Sequence, residues 1–418
     1  MTLDSPQRKG SLLVIFLTVF IDLLGFGMVI PLLPIYADQF TVDEAGWQLG
    51  MLMASFSVMQ FFCAPLWGRL SDRIGRRPVL MIGLFGSVVF YTLFGVATVM
   101  QSLSLLLISR IGAGIAGATI PTAQAYIADS TTLENRPKGM ALIGMAFGMG
   151  FTFGPLLGFL AVAGQAEPGP WPGYAAALLS AVAWLLAMFL LPESKTAESE
   201  TAAHKIFDWG GFRAALATPS VPLVLVAIFV CVFSFANFET TLSLLIKAHE
   251  SAGRSAFDFS FGQVCLTYAY IGFTLALIQG GVVRRLAGRV SEGKLASAGA
   301  LIQVIGFGLV AIAASIGVAP LLLAALAVVV IGFSFMQPNL NSLLSRRSDP
   351  SRQGMILGVG QSVNSLARIL GSALGIPLLR IHATTPYFVA AVLMAAGLVL
   401  VSVASRQGGD YGSRESRV

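Results

Sequence analysis

Gly68-Arg-Leu-Ser-Asp72-Arg-Ile-Gly75-Arg-Arg-Pro78 is the stretch on which the architecture turns. Four arginines and one carboxylate are compressed into a connection too short to be a domain, between two apolar runs too long for a soluble core. Charge that dense beside lipid reads as a cytoplasmic turn between two membrane helices, where ion pairs can form in one conformation and break in another.

Working outward, the same alternation of long apolar runs and short charged turns fills the chain. Its 418 residues are 56% apolar and 11% charged, with mean hydropathy +0.81. That is far more apolar surface than one globular core buries, so the class is integral membrane. Apolar runs of about 20 residues, enough to cross roughly 30 Å of hydrocarbon, fall at 11–36, 46–67, 78–99, 102–128, 139–163 and 173–191. A second six follow at 221–246, 260–283, 295–316, 319–344, 354–378 and 386–404. Runs such as Ala319 to Phe335 lack the alternation of a membrane β-barrel. The expected fold is therefore all-α, with twelve transmembrane helices in two pseudo-symmetric six-helix bundles.

The net charge of +6 raises the question of acidic partners, and its distribution answers it. Of the 26 Lys and Arg, only Lys247, Arg254 and Arg380 fall on one side of the membrane, and Arg110 and Arg368 lie inside spans. All the others share the side of both termini, which places those termini in the cytoplasm and explains the charge without nucleic acid. The first span carries Asp22 and is longer than a signal-peptide core, so it is expected to be retained. Cys63, Cys231 and Cys265 all sit in spans, without metal-ligand spacing or a disulfide framework.

Residues 192–220 form the one sizeable hydrophilic interior segment and read as a cytoplasmic linker between a bundle at 1–191 and a bundle with tail at 221–418. The halves echo one another. Gly117 to Met140 and Gly332 to Met355 both run from a span glycine through a polar loop to Gly-Met, and Gly68, Gly75 and Arg76 are echoed by Gly281, Gly288 and Arg289. Parallel repeats of this kind build many secondary transporters.

At these residues the chain resembles the major facilitator superfamily over nearly its whole length. Gly68 to Pro78 is similar to that family's loop signature between spans two and three, while its echo carries Arg285 where Asp72 would stand. Asp22-Leu-Leu-Gly-Phe-Gly-Met-Val-Ile-Pro31-Leu-Leu-Pro34 and Arg110-Ile-Gly-Ala-Gly114 resemble first- and fourth-span motifs of the twelve-span drug/proton antiporter branch, which includes tetracycline and multidrug efflux proteins. Gly150-Phe-Thr-Phe-Gly154-Pro155-Leu-Leu-Gly158 resembles its fifth-span antiporter motif, with Ala141 and Phe159 where glycine is usual. Tetracycline members carry further carboxylates in spans three and nine; residues 79–99 and 295–316 have none, so a metal-chelated drug is not expected.

Asp22, Arg110, Glu239 and Arg368 are the ionisable side chains well inside spans, each costing about 2.5 to 3.5 kcal/mol at a helix centre, so each should face a cavity or a partner. Asp22 lies near mid-span, where a carboxyl reached by water from alternating sides can carry a proton; a permanent Asp22–Arg110 ion pair is the structural alternative. Resemblance ties Arg110 to proton coupling. Glu239 is either a second proton or substrate-charge site, or an acid in the outer vestibule.

Arg110, Gly114, Gly117, Pro121 and Gln124 recur at steps of four and three, one helical face. Gly150, Gly154 and Gly158 make a small-residue seam, and Pro155 permits a bend. Gln124, Gln337, Asn339, Asn341, Gln361, Asn364, Ser365, Arg368 and Ser372 are expected to line a wet substrate cavity. Asp72 can sit at the amino end of a facing helix. Resemblance makes that helix span eleven, with Arg73, Arg76, Arg77 and Asp129 around it as a cytoplasmic gate; a purely topological basic loop is the alternative.

Gly112 to Gly117 and Gly288 to Lys294 superficially match dinucleotide and phosphate loops, but no strand precedes either, so no nucleotide is expected. No catalytic triad is apparent, which argues against an enzyme. The expectation is a proton-coupled exporter of small amphipathic molecules in the cell's inner membrane, acting as a monomer, with substrate, protons and the lipid bilayer as partners and no cofactor. A proton symporter or facilitator for a sugar or organic acid, and a non-transporting receptor or sensor, are the alternatives.

Overall fold

A computed structural model describes residues 6–40, 47–131, 136–162, 169–194, 220–247, 257–286, 289–347 and 353–407. Most of the expected linker and the C-terminal tail lie outside these residues. The first half comprises α1 (Pro6–Val29), α2 (Leu33–Phe40), α3 (Trp47–Ile74), α4 (Arg76–Val99), α5 (Leu103–Gly117), α6 (Ile120–Ser130), α7 (Arg136–Ala161) and α8 (Trp171–Leu190). The second comprises α9 (Val221–Ile246), α10 (Phe261–Leu277), a π-helical turn (Ile278–Val283), α11 (Arg284–Leu286), α12 (Glu292–Ile316), α13 (Ala319–Arg346), α14 (Gln353–Ile381) and α15 (Thr385–Arg406). Among the described residues eleven helical stretches are long and apolar enough to cross a membrane, and the remaining expected span, α7, is apolar over Met145–Ala161.

The breaks have local causes. Span one stops being regular helix at Val29 and resumes at Leu33, around Pro31, whose nitrogen cannot donate. Span four breaks between Gly117 and Ile120, with Pro121 in the first turn of α6. The carbonyls left at the end of α5 are taken from the side: Trp67 Nε1 donates to Ile115 O at 2.7 Å and Gln60 Nε2 to Gly117 O at 3.5 Å. The single face expected from Arg110 to Gln124 is therefore interrupted, and Gln124 is exposed whereas Arg110 and Gly114 are buried.

The chain divides into two compact units: Met1–Val42, Ser55–Ile206 and Phe259–Phe273 in one, Asp43–Ala54, Phe207–Asp258 and Thr274–Val418 in the other. In the first, α1 packs on α7 and α8, and α4 on α5 and α8; in the second, α9 packs on α14 and α15, and α12 on α13 and α15. Large apolar side chains on the outer faces, such as Phe62, Phe189 and Phe388, are exposed. In water they would form aggregating patches, whereas in a bilayer they meet lipid tails.

The seam between α1 and α7 explains two of the motifs at once. A Cβ on Gly27 would lie 2.5 Å from Gly150 O, and one on Gly154 would lie 2.7 Å from Leu24 O and 2.8 Å from Gly27 Cα. The first-span and fifth-span glycines are opposite walls of one backbone-to-backbone contact, which small residues make possible between membrane helices. The second unit repeats it, with Gly371 of α14 against Phe233 O of α9. Gly154→Ala should overpack this seam and destabilise the protein by about 1 to 3 kcal/mol, lowering the thermal midpoint of the purified protein. Gly148→Ala, where nothing lies within 4 Å, should leave it unchanged.

Candidate functional site

Asp22 sits in α1 one turn from the glycine seam, and Ser180 of α8 donates to its Oδ1 at 2.9 Å. Ser87 of α4 lies beside the same carboxyl, and Tyr91 is close enough to sense both Asp22 and Arg110. Arg110, only 4% exposed, stacks its guanidinium over Phe56 at 4.6 Å from the ring centroid, a cation–π contact. Its Nε is buried without a hydrogen-bond partner. Among the described residues, Asp22 and Arg110 form no ion pair with each other: the acid is held by neutral hydroxyls, the cation by a ring. A permanent helix-locking pair is therefore not what this structure contains. Ser180 was missed at the sequence level, although a lone serine among the alanines and leucines of Ala175 to Leu191 was its signal.

The loop signature is organised by an acid that the motif does not contain. Glu193, directly after span six, accepts from the backbone nitrogens of Arg76 at 2.9 Å and Arg77 at 3.1 Å, capping α4. The positive end of the helix favours that carboxylate. Gly75, the residue before α4, has φ +105°, and a Cβ there would collide with Glu193 Oε2. The signature glycine is thus required twice, for its backbone angle and for the space the carboxylate fills. Tyr126 OH donates to Pro192 O at 2.9 Å, fixing the same corner.

Arg76 Nε pairs with Asp129 Oδ2 at 3.1 Å, and its Nη1 donates to Ser71 Oγ at 2.6 Å. Arg77 instead donates to the Met188 carbonyl at the end of α8. Arg73 is exposed, Gly68 has open space around it, and the Asp72 side chain, with its expected approach to span eleven, lies outside the described residues. In the second unit Glu292, at the start of α12, pairs with Arg346 at the end of α13. This is the place of Arg76 and Asp129 in the repeat, with the signs exchanged.

Glu239 of α9 and Arg368 of α14 form an ion pair at 2.6 Å. Neither sequence alternative for Glu239 included this partner. Next to it Thr240 and Ser372 share a hydrogen bond of 3.0 Å, and Gln337 Nε2 donates to Asn364 Oδ1 at 3.3 Å. Asn341 and Gln361 are exposed. Of the antiporter motif, Gly150, Gly154, Pro155 and Gly158 are all buried, the glycines against α1. Among the described residues no cluster of His, Cys, Asp or Glu suits a metal ion.

Replacing Glu193 by Gln keeps the shape of the α4 cap and removes its charge. It should weaken that helix start by about 1 kcal/mol, seen as faster amide hydrogen exchange at Arg76 and Arg77. Unaltered exchange there would mean that the cap contributes nothing.

Residues 15–372 match the model of the Major Facilitator Superfamily. The chain is 32% identical over 404 residues to the class C tetracycline resistance protein of Escherichia coli, covering 96% of this chain and 98% of that one. It is 32% identical over 420 residues to major facilitator superfamily domain-containing protein 10 of Mus musculus, covering 87% and 86%. The crystal structure of the human organic anion transporter MFSD10 (TETRAN) superposes with a TM-score of 0.72 at 27% identity, over 95% of this chain and all of that one. With its helical spans, its paired seams and the extent of these matches, the chain belongs to the Major Facilitator Superfamily of multi-pass membrane transporters.

Proposed function

We propose that the chain is a proton-coupled secondary active transporter that exports small amphipathic molecules by alternating access, in an inner membrane with both termini cytoplasmic. The observation carrying this reading is Asp22, a mid-span acid whose bonded partner is the neutral Ser180 and which forms no ion pair among the described residues. A carboxyl in that setting is expensive to leave charged and unmatched. Its charge is balanced by something that arrives and departs, a proton in one stage of the cycle and a substrate's cationic or polar group in the other. Tyr91 stands near enough to sense the charge on Asp22, and Glu239, already neutralised by Arg368, is the secondary charge site.

The relatives named for tetracycline resistance support efflux of drug-like molecules, although spans three and nine lack the acids that a metal-chelated drug would use. A second reading of the substrate is an organic anion. Arg110 is buried and makes no ion pair among the described residues, so an anionic group would find an unmatched cation there. The human organic anion transporter of the same fold supports that class as well.

Proteoliposomes with an imposed pH gradient, assayed against a panel of amphipathic cations, tetracycline and organic anions, test both readings. The wild type should expel substrate against its gradient when protons can flow the other way. Asp22→Asn should abolish gradient-driven accumulation while substrate exchange continues, and undiminished coupling in that variant would remove Asp22 from the carrier role. Glu239→Gln should alter the substrate range and leave the coupling to the pH gradient intact.

A further inference from the structure

Beside Asp22, within the first unit, lies a small cavity lined by Thr18, Val19 and Asp22 of α1, Leu80 and Leu84 of α4, and Thr119, Ile120 and Ala123 in and before α6. Its roughly 20 Å³ of water-sized space is enough for one water molecule, which needs about 10 to 15 Å³ and two or more polar neighbours. Thr18 is four residues before Asp22, hence on the same face of α1. It is 1% exposed, and its Oγ1 has no hydrogen-bond partner. Thr119 adds a second hydroxyl to the wall. Leu80, Leu84 and Ala123 of its wall belong to an apolar cluster that also holds Ile15, Tyr126, Ile127, Ile143 and Leu191.

We propose that this cavity is a single-water site in which Thr18 holds a water against Asp22, and that Thr18 is a positioning residue for the proton that Asp22 carries. The inference rests on the proton-coupled reading above and adds to it how the acid stays hydrogen-bonded in both of its protonation states. With Asp22 ionised, the water donates one O–H to the carboxylate and accepts from the Thr18 hydroxyl. With Asp22 protonated, the carboxyl O–H donates to the water, which turns and donates to Thr18 Oγ1. A hydroxyl can take either role, whereas a methyl or an amide N–H cannot. Only the proton on Asp22 is gained or lost.

Among the described residues, Tyr91 on α4 is a titratable group that senses Asp22, and it senses Arg110 on α5 as well. The helices packed on α1 also carry Tyr126 and Asp129 on α6, the latter paired with Arg76, and Tyr174 on α8. Neither Met145–Ala161 of α7 nor α8 contains an acid, lysine, arginine or histidine.

Infrared difference titration of the purified protein tests this without a transported substrate. The Asp22 carboxyl band is identified as the one lost in Asp22→Asn. In the wild type it should titrate together with a band from a bound water. Thr18→Val, close in shape, should lose the water band and displace the carboxyl midpoint by about one pH unit, the size of one hydrogen bond to a charged group. Thr18→Ser should retain both. A Thr18→Val protein that keeps the water band and an unmoved midpoint overturns the inference and leaves the proposed function standing. Should no carboxyl band separate wild type from Asp22→Asn, the proton-carrier reading itself fails and the inference falls with it.

Discussion

A carboxylate in the middle of a membrane helix has to be matched by a cation, a proton or water, and the construction of the first unit follows from how Asp22 is matched. It is not matched by Arg110. The arginine is turned onto Phe56 and the acid onto Ser180, so these two opposite charges within the spans are kept apart at the cost of leaving each only partly compensated. A protein selected only for stability would close that pair or replace it with apolar residues. Keeping it open leaves the acid available to a transient partner, which is what coupling to a proton requires. The second unit shows the other solution, because there Glu239 and Arg368 are closed into an ion pair.

The glycine seams serve that arrangement. The contact of Gly27 with Gly150 and Gly154 brings the backbones of α1 and α7 together one turn from Asp22, while Gly25 sets α1 against Ala176 of α8, one turn from Ser180. Position along α1 is thereby fixed on two sides, and the acid meets Ser180 without needing a charged anchor. At the other end of the unit, Glu193 ties the first residues after span six to the start of α4. The loop signature and the end of span six therefore share one charged joint.

The spans were legible because hydropathy is a composition signal that needs no partner, and the charged loop because its residues are contiguous. The motif glycines were legible as small residues, but their partners were not: a step of four says that a face is narrow without saying what lies on it. The closed Glu239–Arg368 pair, the Glu193 cap and the turning of Arg77 onto Met188 all join residues more than 100 positions apart, and nothing local in either partner announces them. The helix break before Ile120 was hidden for a different reason. Pro121 suits the first turn of a helix as well as it breaks the middle of one, and the side chains that take the carbonyls at the end of α5, Trp67 and Gln60, come from another helix.

The claim on which the account depends is that Asp22 gives up a proton when substrate arrives. The direct measurement is the pH of a weakly buffered solution of the purified protein as a transported amphipathic molecule is added. Proton release that rises with binding, saturates with it and is missing in Asp22→Asn is the expected result. Binding that proceeds with no proton released by the wild type would contradict it.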